Sequence, residues 1–323
     1  MKIAICICTC GRVEDLARLL DLLAGIELGP LDPGEVSVVV VDNQPDGRAR
    51  AVCDRARQRL PIALHFVEEP QRGISFARNR AMATAIAHGA AFISCIDDDD
   101  LPRSDWLLRL LERQRETGAD LVLGVWELPP GLVLPAWLAD VDFLRPPPPE
   151  DLGKIGAPYG LPYCSGTFNV LIRRKVIEAL QKAGPVFSPE FSFIGGEDID
   201  FFIRAMRLGF TLVPAPASVV RRYWEPDRLT LRGVLRRGFR LGSAQAHLDQ
   251  LHLSVYDHRR RRRRARKKLL RWTLSLPQRL LAPGRGTGPG WFTPQRLVGR
   301  LHNLTRAIGT LHGRTGRKFR YYG

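Results

Sequence analysis

Four consecutive carboxylates at the end of an apolar run constrain this chain more than any other stretch: Ile96-Asp97-Asp98-Asp99-Asp100 follows Ala90-Ala91-Phe92-Ile93-Ser94-Cys95. A buried strand over the apolar run would deliver four like charges to a sheet end, where they repel one another with little solvent screening. A divalent cation relieves that repulsion. Hard oxygen ligands at a strand terminus suit Mg²⁺ or Mn²⁺, with phosphate oxygens completing the shell. Pro102 and then Ser104-Asp105-Trp106 follow, a stop and a helix N-cap, so the acids are predicted on a short turn between strand and helix. A solvated acidic turn is the plain alternative.

Strand–helix alternation surrounds that stretch. Residues 3–7 are β-rich and end in Thr9-Cys10-Gly11-Arg12, after which Leu16, Leu19, Leu20 and Leu23 recur at helical spacing. Residues 36–41 form a continuously apolar run ending in Asp42-Asn43, as buried parallel strands do. A third strand is predicted near residues 64–67, and Arg72-Gly73-Ile74-Ser75-Phe76-Ala77-Arg78-Asn79 opens an Ala-rich helix to about His88. This order predicts an α/β fold, a Rossmann-like, mostly parallel twisted sheet flanked by helices, with its ligands outside the strand carboxyl ends. Thr9, Asp42 and Asp97–Asp100 all fall at such ends. Further strands are predicted over residues 120–125 and 168–172. Residues 129–150 are too rich in Pro for helix or sheet interior, and residues 153–166 read as a loop, either ordinary surface or one that folds over a substrate.

A second acidic element is Gly195-Gly196-Glu197-Asp198-Ile199-Asp200. Ile199, Phe202, Ile203 and Met206 make a helical stripe and Gly209 ends it, which sets Glu197 and Asp198 at a helix N-terminus. The macrodipole there favours an ionised carboxylate available as a base, and the Gly pair argues for close approach of a ligand; simple capping by these acids is the alternative.

Charge is divided unevenly along the chain. Residues 1–220 carry 23 Lys+Arg against 29 Asp+Glu, and residues 221–323 carry 26 against 4, so an acidic body bears a strongly basic C-terminal third that points to an anionic partner. The six cysteines show no C-x-x-C or matching His spacing and read as small thiols in a reducing compartment, with Cys6, Cys8 and Cys10 on one strand face.

The succession Cys8-Thr9-Cys10-Gly11-Arg12, Val41-Asp42-Asn43, Ile74-Ser75-Phe76-Ala77-Arg78-Asn79, Ile96 to Asp100, Asp105-Trp106-Leu107, Phe168 to Arg174 and Gly195 to Phe202 resembles glycosyltransferase family 2, most of all the bacterial exopolysaccharide enzymes of the succinoglycan glucosyltransferase type. The resemblance covers residues 1–245, which it marks as a GT-A catalytic domain, and leaves residues 246–323 as a basic helical extension. It implies inverting transfer of a sugar such as glucose from a UDP-linked donor to a lipid-linked oligosaccharide in cell-surface polysaccharide synthesis. By position, Thr9, Asp42 and Asn43 would line the nucleoside pocket, with Arg12, Arg78 and Asp98 beside the nucleotide sugar. Asp97 and Asp99 would be the acids of the D-x-D motif that hold ribose and metal, and Asp198 the catalytic base beside Glu197. Two positions depart from the pattern. Many relatives have Asp where Asn43 stands, and Arg221 replaces a frequent His; arginine cannot ligate a cation, but its charge would help offset the diphosphate.

Beyond residue 242 the resemblance fades into His258, the arginines 259–264, Arg266, Lys267 and Lys268, then Leu269, Leu270, Trp272, Leu274 and Leu276. Basic residues beside Leu and Trp suit the anionic lipids of an inner membrane leaflet, the alternative being a solvated, partly disordered tail. Residues 282–290 read as a Gly/Pro linker and residues 297–311 as a further amphipathic stretch. No signal-peptide pattern precedes the first strand and no apolar run reaches the length of a span, so a cytoplasmic protein held peripherally at the inner face of the membrane is predicted. Two other classes fit parts of the pattern. A nucleotidyltransferase also uses acidic strand ends and metal, but the Gly-rich phosphate loop it needs is missing here. A nucleic-acid-binding protein would use the arginine run, yet no aromatic-interleaved reading motif accompanies it, and no specific nucleic acid is expected.

Overall fold

In the computed structural model of the chain the apolar runs become strands. The elements are β1 (Ile3–Thr9), α1 (Val13–Leu23), β2 (Val36–Asp42), α2 (Arg48–Ala56), β3 (Ala63–Glu68), α3 (Ile74–Ala87), β4 (Phe92–Asp97), β5 (Asp100–Pro102), α4 (Trp106–Thr117), β6 (Leu121–Glu127), β7 (Ile155–Gly156), β8 (Leu161–Pro162), β9 (Asn169–Arg173), α5 (Arg174–Ala183), α6 (Glu197–Arg207), β10 (Leu212–Arg222), α7 (Leu231–His252), α8 (Val255–Leu280) and α9 (Pro294–His312). The structure describes residues 1–138, 141, 144–146, 148, 151–152, 154–156, 159–162, 166–280 and 294–313, without the side chains of 258, 268, 272–280 and 294–296. Parts of the predicted proline-rich stretch and 153–166 loop, Cys164, the linker at 282–290 and the side chains of Trp272, Leu274 and Leu276 lie outside the described residues.

One eight-stranded sheet runs in the order β3-β2-β1-β4-β9-β6-β10-β5. The first four strands are parallel, β9 is antiparallel to both β4 and β6, β10 is parallel to β6, and β5 is antiparallel to β10. Alternation along β1 divides its side chains between two layers. Ile3, Ile5 and Ile7 join Leu16, Leu19 and Leu20 of α1, Val52 and Cys53 of α2, and Trp106, Leu107 and Leu110 of α4 in the main core. Ala4, Cys6 and Cys8 are small, and α3 packs on β1 and β2 with Ala77, Ala81 and Ala85 buried. The Cys6 thiol donates to the Ala81 carbonyl at 3.8 Å. Cys6 and Cys8 thus share a face as predicted, while Cys10 lies beyond the strand and is exposed.

Side-chain clamps hold the turns at the carboxyl ends of these strands. Asn43 Nδ2 donates to the carbonyls of Glu69 and Gln71, both at 2.8 Å, and its Oδ1 accepts from the Gly73 N–H at 2.8 Å, which closes the turn entering α3. Gly73 has φ +133°, and a Cβ there would stand 2.6 Å from Ser192 Cβ, so no side chain fits. Asn79 and Phe187 bond reciprocally at 2.8 Å, and Ser75 Oγ donates to the Ser188 carbonyl at 2.9 Å. These bonds tie α3 to the segment preceding α6. Gly195 and Gly196 have φ +79° and +99°, so the pair is required by backbone conformation.

The chain forms two compact units. The first contains residues 1–129, 146–192 and 197–223, including the sheet; the second contains residues 130–145, 193–196 and 224–323. Helix α7 runs unbroken past residue 245. In the second unit α7 and α9 meet through glycines: a Cβ on Gly242 would lie 1.9 Å from the Arg306 carbonyl oxygen, and one on Gly309 would lie 2.0 Å from that of Phe239. The arginine run is helical, within α8. Arg261 pairs with the fully buried Asp249 of α7 at 3.1 Å, while Arg259, Arg260, Arg262, Arg263, Arg264, Arg266 and Lys267 are exposed. Among the described residues, no helix is long and apolar enough to cross a membrane.

Two stability tests follow from these contacts. Gly242→Ala forces a methyl against backbone and should lower unfolding free energy by about 1–3 kcal/mol or more, measured by urea denaturation. Gly25→Ala, whose Cβ would have only an ordinary 3.6 Å contact, should leave stability unchanged. Asn43→Asp should cost about 2–4 kcal/mol by turning a donor to two carbonyls into an acceptor. An Asn43→Asp protein as stable as wild type would show that the clamp contributes nothing to stability.

Candidate active site

The strand order places the candidate site. Connections leave β1 toward β2 and re-enter at β4 on its other side, so the crevice outside the carboxyl ends of β1 and β4 is a topological switch point. The register pairs Thr9 with Asp42 and Cys8 with Asp97, which brings the ends of three sequence-distant strands level. Thr9 and Asp42 are buried. Asp42 Oδ1 accepts from the Gln44 N–H at 2.9 Å, whereas its buried Oδ2 has no hydrogen-bond partner among the described residues. Burial raises the Asp42 pKa above the ordinary carboxylate value. The adjoining Asn43 has its side chain committed to the turn described above.

The acidic tetrad does not sit wholly on a turn. Asp97 ends β4, and Asp100 opens β5, which pairs antiparallel with β10 in the register Asp100 to Arg222. The predicted cap also differs: Asp105 precedes α4 without capping it and instead accepts from Arg109 at 2.9 Å. Ser104 donates its hydroxyl to Glu27.

Three arginines from three elements balance the tetrad. Arg12, at the start of α1, donates from Nε to Asp98 Oδ2 at 3.2 Å and from Nη1 to Asp99 Oδ2 at 2.9 Å, with Nη2 on Asp98 Oδ1. Arg78 of α3 bridges two elements, pairing with Glu197 through Nη1 and with Asp97 Oδ1 through Nη2 at 3.3 Å. Arg222 of β10 holds both oxygens of Asp100 at 2.9 and 2.6 Å. Burial pushes Asp98 and Asp100 up to about 7 even though Arg12 and Arg222 oppose it. Burial also penalises ionised Asp97, but Arg78, Arg222 and Arg12 outweigh it and hold that carboxyl below its usual value.

Arg221, whose charge was expected to help offset a diphosphate, projects away from the tetrad. Successive strand residues project to opposite sides of a sheet, and Arg221 pairs with Glu127 at 3.1 Å, both side chains well exposed. Arg222 is the one directed at the carboxylates. Two adjacent arginines at a strand end read alike in sequence, and only the pairing with β5 separates them.

At the N-terminus of α6 the two acids part. Glu197 is buried on Arg78, and Asp198 is half-buried with Oδ1 accepting from the Ile199 N–H at 2.8 Å. A Cβ on Gly166 would come 3.9 Å from Asp198 Oδ2 and only 2.7 Å from the Phe168 ring, so the chain passes this carboxylate as bare backbone. Burial raises the Asp198 pKa, with Arg78 and the Ile199 N–H opposing. Thr9, Arg12, Arg78, Asp97, Asp98, Asp99, Glu197 and Asp198 are thus brought to one end of the sheet.

One oxygen from each of Asp97, Asp99 and Asp100 lies within 4.8 Å of the others, close enough to converge on one cation. Asp97 and Asp99 are partly exposed, while Asp100 is fully buried with both oxygens on Arg222. Carboxylate oxygens at this spacing fit Mg²⁺ or Mn²⁺.

Residues 4–180 match the family described as Glycosyl transferase family 2. Over 248 residues the chain is 32% identical to the succinoglycan biosynthesis protein ExoM of Rhizobium meliloti (strain 1021), covering 77% of this chain and 75% of that protein. Among solved structures it is similar to the mannosyltransferase PcManGT from Pyrobaculum calidifontis in complex with GDP-Man and Mn²⁺, with a TM-score of 0.64 at 16% identity over 96% of this chain and 87% of that one. It is also similar to S. aureus TarS 1-349 in complex with UDP, with a TM-score of 0.52 at 16% identity over 99% and 93% of the two chains. At such identities the structural likenesses speak for the fold, and it is the GT-A arrangement that the family resemblance implied. The family match and the sequence relative go further: the chain belongs to glycosyltransferase family 2.

Proposed function

We propose that this protein is an inverting, metal-dependent hexosyltransferase, moving a sugar from a UDP-linked donor to a lipid-linked oligosaccharide during exopolysaccharide synthesis. The observation that carries the reading is the convergence of Asp97, Asp99, Arg78 and Asp198 outside the ends of β1 and β4. The buried, unpartnered Oδ2 of Asp42 supports a nucleotide pocket beside them, since it offers an acceptor to a base bearing a ring N–H. Uracil and guanine carry that N–H, whereas adenine and cytosine do not. The relation to ExoM supports the polysaccharide setting, and a structural neighbour's complex with GDP-Man and Mn²⁺ and another's with UDP support donor and cation.

Asp97 and Asp99 would hold a divalent cation, which when bound neutralises the departing diphosphate. Asp98 and Asp100 are fully buried with both oxygens on an arginine, and Glu197 is buried on Arg78, whereas Asp97 and Asp99 touch Arg78 and Arg12 but stay partly exposed. Asp198 takes the proton of the acceptor hydroxyl as that oxygen bonds to the anomeric carbon and the bond to the diphosphate breaks on the opposite side. Its raised proton affinity suits this task. Arg78, fixed between Glu197 and Asp97, supplies a permanent positive charge on the donor side.

The exposed arginines of α8 suit the anionic inner leaflet, where each basic residue near the surface contributes about 1 kcal/mol. Such attachment confines the enzyme to the surface that carries a lipid-linked acceptor. Arg261 is excluded from this role because Asp249 occupies it.

Slow hydrolysis of a panel of nucleotide sugars, with Mn²⁺ and with EDTA, tests the reading. Asp198→Asn should lower turnover by about two or more orders of magnitude with donor affinity kept, and Glu197→Gln should lower it less. The reverse ranking would move the base to Glu197. Asp99→Ala should abolish the difference in nucleotide affinity between Mn²⁺ and EDTA, and a retained difference would count against the cation site. Changing Arg259, Arg260, Arg262, Arg263 and Arg264 to Gln should abolish sedimentation with phosphatidylglycerol vesicles while leaving donor hydrolysis intact. Wild-type binding should fall steeply with salt. Equal binding to neutral vesicles would overturn the electrostatic attachment.

A further inference from the structure

Arg222 closes β10, and the chemistry above gives it no task. It stands opposite Asp100 in the β5–β10 pairing. Nε and Nη2 reach the two oxygens of Asp100 at 2.9 and 2.6 Å, and Nη2 lies 3.6 Å from Asp97 Oδ2. The guanidinium sits 4.3 Å from the centroid of Phe168 and 6.0 Å from that of Trp126. A planar fork held at once by a carboxylate and an aromatic face has little freedom to turn away. Asp100, fully buried, has both oxygens filled by this fork. Yet one of those oxygens lies within 4.8 Å of ligand oxygens on Asp97 and Asp99. Without Arg222, three carboxylates would face one cation.

We infer that Arg222 is a positioning residue that withholds Asp100 from the cation site, so that the tetrad presents Asp97 and Asp99 alone. The inference rests on the nucleotide-sugar reading and concerns how cation and donor are coupled at the same site. Two carboxylates bind a free divalent cation weakly and leave most of its shell to diphosphate oxygens, so cation and nucleotide bind as a pair. A third carboxylate strengthens binding of the cation alone. It also adds negative charge against the diphosphate, which weakens the nucleotide.

The test uses full-length protein, with Mn²⁺ alone followed by electron paramagnetic resonance and UDP or GDP titrated calorimetrically in saturating Mn²⁺. Arg222→Gln should bind Mn²⁺ alone about tenfold more tightly than wild type and bind the nucleotide about tenfold more weakly. Arg222→Lys, which keeps the charge but loses the fork, should fall between the two. Arg222→Gln combined with Asp100→Asn should return Mn²⁺ affinity to the wild-type value, identifying Asp100 as the added ligand. A structural loss would lower both affinities together. Unchanged or weaker Mn²⁺ binding in Arg222→Gln overturns the inference, as does a gain that survives in the double variant. If Arg222→Gln does not fold, the absence of any gain in Arg222→Lys overturns it. Failure of wild type to bind either nucleotide would instead sink the nucleotide-sugar reading, since the Mn²⁺ comparison needs no nucleotide.

Discussion

Charge balance at the end of β4 is the constraint on which the rest of this structure depends. Two of the four tetrad carboxylates, Asp98 and Asp100, are fully buried, and a buried charge is tolerated only with a partner and hydrogen bonds. The partners come from far apart in sequence: Arg12 from the turn after β1, Arg78 from α3 and Arg222 from β10. Removing one member of such a pair leaves an uncompensated charge at a cost of about 3–5 kcal/mol. The arginines therefore fix the position of three segments at once, and the edge of the fold and the candidate site are built from the same contacts. With Glu197 on Arg78, five carboxyl groups meet three arginines here, an acid-rich cluster that suits a divalent cation.

Backbone geometry supplies what charge alone does not. The strand β5 holds Asp100 in register with Arg222, where a free turn would let the acids splay into solvent. Asn169 serves a similar end in the sheet interior: its amide donates to the carbonyls of Val125 and Ser218, both at 3.1 Å, and Gly124 leaves it room, since a Cβ there would sit 2.1 Å from the Asn169 amide nitrogen. This bond set fastens β9 to its neighbour β6 and, beyond it, to the residues of β10 that lead to Arg222.

Much of this was legible in the residues. The Val-rich run of β2, the Ile-rich β1 and the strand leading to Asp97 announced themselves as buried strands, and their polar ends meet at the candidate site. The sense of β9 was not legible, because a strand covered on both faces reads as an apolar run whether its neighbours are parallel or antiparallel. The packing of α7 on α9 was hidden for a different reason. Its signal is Gly242 and Gly309, and glycine in a helical stretch reads as weakness until the facing backbone is known. The arginine run of α8 read as uniform charge, but one of its members is committed to a buried aspartate on another helix.

The hardest distinctions lie between neighbours in sequence, and they recur in one form. At Asp42-Asn43, at Glu197-Asp198 and at Arg221-Arg222, two similar polar residues stand side by side at the end of a strand or the start of a helix. In each pair one member is bound into another part of the protein. Asn43 closes a turn, Glu197 holds Arg78 and Arg221 pairs with Glu127. The other member has a different placement: Asp42 keeps a buried oxygen unpartnered, Asp198 stays half-buried at its helix end, and Arg222 turns to the tetrad. Successive side chains diverge by about 180° on a strand and about 100° on a helix, so adjacent residues of a regular element face different surroundings. Each of these three doublets therefore gives one residue to the scaffold and sets the other toward the candidate site. Which is which depends on register, a property of the partner strand or helix that the doublet itself does not encode.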